Sequence, residues 1–242
     1  MGESDVVGLA GSDYYYNNKR GGVINVTSDI AEDDIIDVEY LFREYHQMPL
    51  IEQIAVEKCS GRVLDIGAGM GSHSLALQRM NKDVTALEIS KAACNIMQNR
   101  GVKKVLHHNF FEPESFNQPH YDTLLLLMNG IGIVGTVDNL KSFFSIAKKL
   151  LSPRGKIIFD SSDISYLFAD QDGSILVNLN DKYYGEMIYQ MSYNTVKGEP
   201  FPWLFIDYHT LEYYALQHNF KVELLYSDGH FQYLAQLTPI KK

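Results

Sequence analysis

At 242 residues, with 45% hydrophobic and 21% charged side chains, the chain has the composition of an ordinary globular protein and can bury a core without disulfide or metal staples. A formal net charge of −9 gives it no general attraction for phosphate backbones or anionic lipid, and none of its short basic pairs (Lys19-Arg20, Lys103-Lys104, Lys148-Lys149, Lys241-Lys242) is interleaved with aromatics. Cys59 and Cys94 form neither a metal spacing nor a disulfide framework, and the apolar run at 123–128 is too short to span a bilayer. The first twenty residues lack a basic segment followed by an apolar one, and Val6 breaks the myristoylation pattern, so a cytoplasmic protein without membrane attachment is expected.

Residues 1–33 are rich in Gly, Asp, Asn and Ser around Tyr14-Tyr15-Tyr16 and read as an arm of weak structure that docks on the rest. Helical spacing follows: Asp34 is placed to cap a helix to about Tyr45, with Ile35, Val38, Leu41, Phe42 and Tyr45 on one side. Pro49 suits the first turn of a second helix ended by Gly61.

Alternation then begins. Strands are expected at 62–66, 83–88, 104–108, 122–128 and 156–160, the fourth buried on both faces because it is continuously apolar. Helices are expected from Ser72 to about Met80, from a Ser90 cap to Gly101, and from an Asp138 cap through 139–151, with 152–155 as a turn. This order predicts a parallel sheet with helices on both faces. Beyond Asp160 come two aromatic strands (185–194 and 201–207), a helix (209–220) and a hairpin (221–237) around Ser-Asp-Gly.

Between the first of these alternating strands and its helix stands "VLDIGAGMGSHS", Val63 to Ser74, with glycine at 67, 69 and 71. Glycine admits positive φ and lets another molecule reach the backbone, and in open parallel sheets ligands bind beyond the carboxyl ends of the strands. A P-loop would require a lysine here, and the dinucleotide fingerprint would place its third small residue at Ser72, not at Gly71. The spacing Asp65-x-Gly67-x-Gly69-x-Gly71 resembles motif I of the class I S-adenosyl-L-methionine (SAM)-dependent methyltransferases. Glu88, ending the next strand, agrees with it.

The resemblance covers residues 60–160 in motif detail and implies an α/β, doubly wound, mostly parallel seven-stranded sheet closed by an antiparallel C-terminal hairpin. It implies one SAM-binding domain at 51–242, preceded by an arm and cap helices at 1–50 and interrupted by a substrate-lid insertion at 165–206. It places Asp65 near the amino-acid part of SAM, Gly67, Ala68, Gly69 and Gly71 against its ribose and methionine portions, and Glu88, followed by Ile89, on the ribose hydroxyls. Asn109 would meet the adenine amino group and Phe110 its ring, and Met128 and Asn129 would lie beside the methyl group. Tyr45 completes the expected cofactor set. The expected product is S-adenosyl-L-homocysteine (SAH).

Methyl transfer from a sulfonium is an in-line displacement for which positioning supplies much of the barrier reduction, so a dedicated base is optional. Arg43, His46 and His209 are the candidates for proton or carboxylate contacts, and Tyr14, Tyr15, Tyr184 and Trp203 for lining the acceptor. The strand-four exit, "MNGIGIVG", lacks the proline and aromatic with which methyltransferases acting on nucleobase amines stack a base. A small-molecule acceptor is therefore expected, and no nucleic acid; a peptide acceptor, or a SAM-binding regulator without catalysis, are the alternatives. His107 and His108 lack a third ligand, so no metal is expected.

Overall fold

The structure, a computed structural model, describes residues 5–112, 120–170 and 182–240. In chain order it comprises α1 (Val6–Tyr15), β1 (Val23–Ser28), β2 (Asp34–Asp37), 3-10 turns at Val38–Phe42 and Tyr45–Gln47, α2 (Leu50–Lys58), β3 (Arg62–Ile66), α3 (Ser72–Arg79), β4 (Asp83–Glu88), α4 (Lys91–Arg100), β5 (Val105–His107) and β6 (Tyr121–Leu126). A 3-10 turn at Gly130–Val134 leads to α5 (Leu140–Leu150), β7 (Leu151–Ser162), β8 (Glu186–Tyr193), β9 (Val196–Lys197), β10 (Phe201–Leu204), α6 (Tyr208–Gln217), β11 (Phe220–Ser227) and β12 (Gln232–Pro239).

The main sheet has seven strands in the order β11-β12-β7-β6-β3-β4-β5. The run from β7 to β5 is parallel, and β11 and β12 are antiparallel, as the alternation and the terminal hairpin predict. Strand period two divides the core. Val63, Val84, Leu125, Ile158 and Leu234 face α2 and α3, while Leu64, Leu124, Leu126, Ile157 and Phe159 face α5 and α6. The Ser90 side chain caps α4 through the Ala93 N–H at 3.0 Å, and Gly101 ends that helix at φ 97°. Residues 152–155, expected as a turn, continue β7 with a register shift against β6. Asp138, expected as a helix cap, lies in a 3-10 turn at Val137–Asn139; Asn139 takes the N-cap position.

The first fifty residues depart further from expectation. The arm at 1–33 contains an α-helix and a strand, and the helix expected from Asp34 is a strand followed by two 3-10 turns. Ile35 and Ile36 are β-branched and pair with Asn25 and Ile24 of β1, so sheet pairing overrides the helical spacing. β1 pairs in turn with β8, which pairs with β9 and β10, forming a second antiparallel sheet from the N-terminal segment and the segment after β7. Its core is Val6, Ala10, Ile24, Val38 and Tyr193.

α1 joins this sheet to the main domain. Asp5 caps it by accepting the Gly8 N–H at 2.9 Å, and Gly8 and Gly11 lie where it crosses α4 and the glycine loop. A Cβ on Gly11 would stand 2.4 Å from Met70 Cε, and one on Gly8 2.7 Å from Ser90 Oγ. The glycines that suggest a loose arm are the condition for close packing.

Truncating Ile24 to alanine is expected to lower stability by about 2–5 kcal/mol, measured by urea unfolding, because its fully buried side chain holds α1 against the second sheet. Burial pushes the Cys59 and Cys94 thiols up to about 12. Neither should react with an aromatic disulfide reagent at pH 8 until denaturant is added.

Candidate functional site

The carboxyl ends of β7, β6, β3, β4 and β5 lie side by side, because Phe159 is in register with Leu126, Asp65 with Leu125 and Ala86, and Glu88 with His107. Their exit residues form one row: Asp160, Met128–Asn129, Asp65–Gly69, Glu88–Ile89 and His107–Asn109. From β4 to β7 the row spans three strand spacings, about 14 Å. The chain runs outward from β3 through β5 and returns to β6 on the other side of β3, so the topological switch point lies within this row.

Gly67 and Gly69 adopt φ 71° and 54°, and a Cβ on either would meet nothing within 4 Å. The backbone requires the left-handed region there and open space lies in front of it. Gly71, at φ 84°, has a packing role instead, since its Cβ would stand 2.8 Å from Met97 Cγ. Glu88 Oε2 accepts the Gly69 N–H at 2.8 Å, and Oε1 accepts the N–H groups of Ile89 and Ser90, both at 2.8 Å. Burial nevertheless raises the Glu88 pKa against these three donors. Asp65 is buried beneath the loop and accepts the Ser74 hydroxyl at 2.6 Å; burial raises its pKa as well. A buried and a half-buried carboxylate beside an open glycine shelf suit a ligand that brings hydroxyl and cationic groups.

The strand-four exit is strained. Met128 and Asn129 are consecutive non-glycine residues at φ 63° and 53°, each costing about 1–3 kcal/mol. The turn is pinned from β7: Asp160 Oδ1 accepts the Asn129 N–H at 3.0 Å, and Ser162 Oγ donates to Asn129 Oδ1 at 2.9 Å. Asp160 was not among the residues expected at the site. The signal was present, since it is a carboxylate near the carboxyl end of a buried strand, as Asp65 and Glu88 are.

The remaining expected residues disperse. Arg43 is buried: its Nε and one terminal nitrogen donate to Glu52 Oε2 at 3.1 and 2.5 Å, and the other terminal nitrogen donates to the Tyr40 carbonyl at 2.7 Å. His73 Nε2 lies 2.8 Å from the same Glu52 oxygen. Burial works against this carboxylate, but His73 and Arg43 outweigh it and hold the Glu52 pKa below its ordinary value. Arg43 is thus committed to an internal ion pair, which isolated charged residues on buried faces of α2 and α3 did not announce. His46 faces solvent, because 3-10 turns replace the helix that would have put it one turn from Arg43. Tyr45 lies outside the row, its hydroxyl donating to Glu57 at 2.7 Å while its ring packs beside α2.

His209 is exposed at the start of α6. Phe110, expected at an adenine ring, sits 4% exposed in the core with Phe143 at 5.5 Å, the cheapest place for a large apolar ring; Asn109 caps the Phe111 N–H at 3.0 Å. Tyr14 and Tyr15 stack on Phe42 at 4.5 and 6.2 Å. Tyr184 donates to Asp163 at 2.9 Å just beyond β7, and Trp203 lies over Gly132 in the turn after β6.

Comparison with known proteins agrees with this geometry. A family model described as a methyltransferase domain matches residues 38–225. Among solved structures, a SAM-dependent methyltransferase from Bacteroides fragilis in complex with SAH is 42% identical, with a TM-score of 0.92 over 100% of this chain and 97% of that one. A SAM-dependent methyltransferase from Clostridium acetobutylicum shares the fold at 12% identity and TM-score 0.55, over 81% of this chain and 94% of its own. So does the glycopeptide N-methyltransferase MtfA in complex with SAM, at 13% and 0.53, over 79% and 92%. No curated protein matches the chain.

Calorimetry with SAM should show no binding to Gly69→Val, whose side chain would fill the open space and forbid the positive φ. Glu88→Ala should bind about 1–3 kcal/mol more weakly, the worth of charge-assisted hydrogen bonds, and NADH should not compete. With its glycine shelf, its row of strand-end carboxylates and a 42% identical relative holding SAH, the chain belongs to the SAM-dependent methyltransferases of class I fold.

Proposed function

We propose that this methyltransferase transfers its methyl group to a small organic acceptor enclosed between the row of strand ends and the second sheet. In this reading Asp65 and the 67–69 backbone face the amino-acid part of SAM, Glu88 the ribose, Asn109 the adenine, and Met128–Asn129 the methyl group. Residues 1–50 and the described part of 165–206 then act as one cap on a domain at 51–242.

One observation carries the reading: the cap is fastened at two points along the row, on either side of the glycine shelf. At the β4 end, Ser90 Oγ donates to Asp5 at 2.5 Å. After β6, Trp203 covers Gly132 and Pro202 covers Gly135, so closely that an added Cβ would stand 2.0 and 3.1 Å from them. A cap held at two points excludes water and restricts the acceptor's size. Tyr183, donating to Asp207 at 2.6 Å, and Tyr184, on Asp163, supply a polar aromatic wall beside β7. A net charge of −9 supports an acceptor that is not a nucleic acid.

SAM, when bound, supplies an electrophilic methyl on a sulfonium. The chain's own contribution is to hold that end against the pinned 128–129 turn, to shield it, and to align the acceptor for in-line attack. Incubation of a cell extract with methyl-labelled SAM and the enzyme should put label mainly in the metabolite fraction. Label mainly in protein would favour a peptide acceptor, and label mainly in RNA or DNA would overturn the reading.

A further inference from the structure

We infer that Asp160 is the counter-charge for the cofactor's sulfonium and sets the preference of the site for SAM over SAH. This deepens the proposal above and rests on its placement of the methyl end of the cofactor at Met128–Asn129.

Asp160 lies two residues before the end of β7, one strand from that turn, and is 2% exposed. Its Oδ1 accepts the Asn129 N–H; its Oδ2 has no hydrogen-bond partner among the described residues. No polar side-chain atom among them is both sealed and unpartnered, so Oδ2 borders open space. No Lys or Arg forms an ion pair with it among the described residues.

The titratable groups around it are Glu52 from α2, His73 from α3, Tyr40 from the 3-10 turn and Tyr233 from β12. Arg43 and His73 pair with Glu52, and neither forms an ion pair with Asp160; His73 still pulls the Asp160 pKa down, by less than Glu52 raises it. Burial, with a smaller contribution from Glu52, lifts the Asp160 pKa to about 6 against the pull of the Asn129 N–H.

An acid without an ion pair beside a strained turn is poised for a cation that comes with the ligand. SAM and SAH share the ammonium, the carboxylate and the adenosine; they differ in one methyl and one positive charge at sulfur. A sulfonium near Asp160 favours the ionised carboxylate and lowers its pKa in the complex. SAM binding therefore strengthens as pH rises through about 6, where the free acid loses its proton. SAH has no charge at sulfur, and its affinity does not follow this titration. Groups that interact with the shared parts of the two ligands, Asp65 and Glu88 among them, cancel in the ratio of dissociation constants, Kd(SAH)/Kd(SAM).

The test is calorimetric titration of the full chain with SAM and with SAH, without any acceptor, at pH 5 and pH 7.5. The wild-type ratio Kd(SAH)/Kd(SAM) should rise about tenfold between these pH values. Asp160→Asn keeps an oxygen for the Asn129 N–H and removes the charge. It should lower the ratio about tenfold at pH 7.5, flatten its pH dependence and leave SAH binding unchanged. A wild-type ratio independent of pH overturns the inference even if the variant does not fold. Equal weakening of SAM and SAH in the variant overturns it too, leaving Asp160 with a structural role. Failure of the wild type to bind SAH at all would sink the cofactor site itself, and is a distinct outcome.

Discussion

The site depends on one hydrogen bond, from the Gly69 N–H to the Glu88 carboxylate at 2.8 Å. It ties the loop leaving β3 to the end of β4. Gly67 and Ala68 donate to the Leu87 carbonyl at 2.9 and 3.1 Å, so the loop lies as a shelf across its neighbouring strand. A buried carboxylate is costly unless donors surround it, and here the loop itself supplies a donor. Glycine at 67 and 69 is a consequence: only a residue at ease with positive φ can bring its N–H into this position while leaving the space in front open. The start of α3, and with it the His73–Glu52–Arg43 pair, follows from where the shelf ends.

Two kinds of buried acid share this region. Glu52 is neutralised by Arg43 and His73 and fastens the segment before α2 to α3. Asp65, Glu88 and Asp160 stand in the strand-end row without an ion pair among the described residues, and burial raises the pKa of each. A fold that needed these acids only for stability would be better served by apolar residues of similar size. Their grouping in one row beside the strained 128–129 turn is the feature on which the proposed binding of a cationic ligand rests.

The second sheet answers a topological problem. Thr27 and Gln190, 163 residues apart, come together in it, and the entropy of closing so long a loop is offset by a core built around Ile24 and Tyr193. Because one strand pair belongs to the N-terminal segment and the others to the segment after β7, neither forms the sheet alone. α1 then ties it to the start of α4 through Asp5 and Ser90.

Between 62 and 160 the sequence alone was nearly sufficient. Short apolar strands, capped helices and a glycine cluster follow local periodicity and backbone chemistry, so the parallel sheet, the terminal hairpin, the shelf and the carboxylates Asp65 and Glu88 were all legible. Outside that stretch local signals pointed the wrong way. Ile35, Val38, Leu41 and Phe42 have helical spacing, yet partners from β1 turn Ile35 and Ile36 into strand. Gly8 and Gly11 suggest a loose arm, yet they permit a tight crossing against Met70 and Ser90. Arg43 looked free and is paired with Glu52; the Phe110 ring is buried against Phe143, which its place after β5 did not announce. Asp160 carried a strand-end signal like that of Asp65 and Glu88, but its hydrogen bond from the Asn129 N–H and its lack of an ion pair among the described residues could not be read from it. Periodicity, glycine and capping act within a few residues and so can be read along a chain; partners, burial and the charge around an acid are set by residues far away in sequence, and only the tertiary structure decides them.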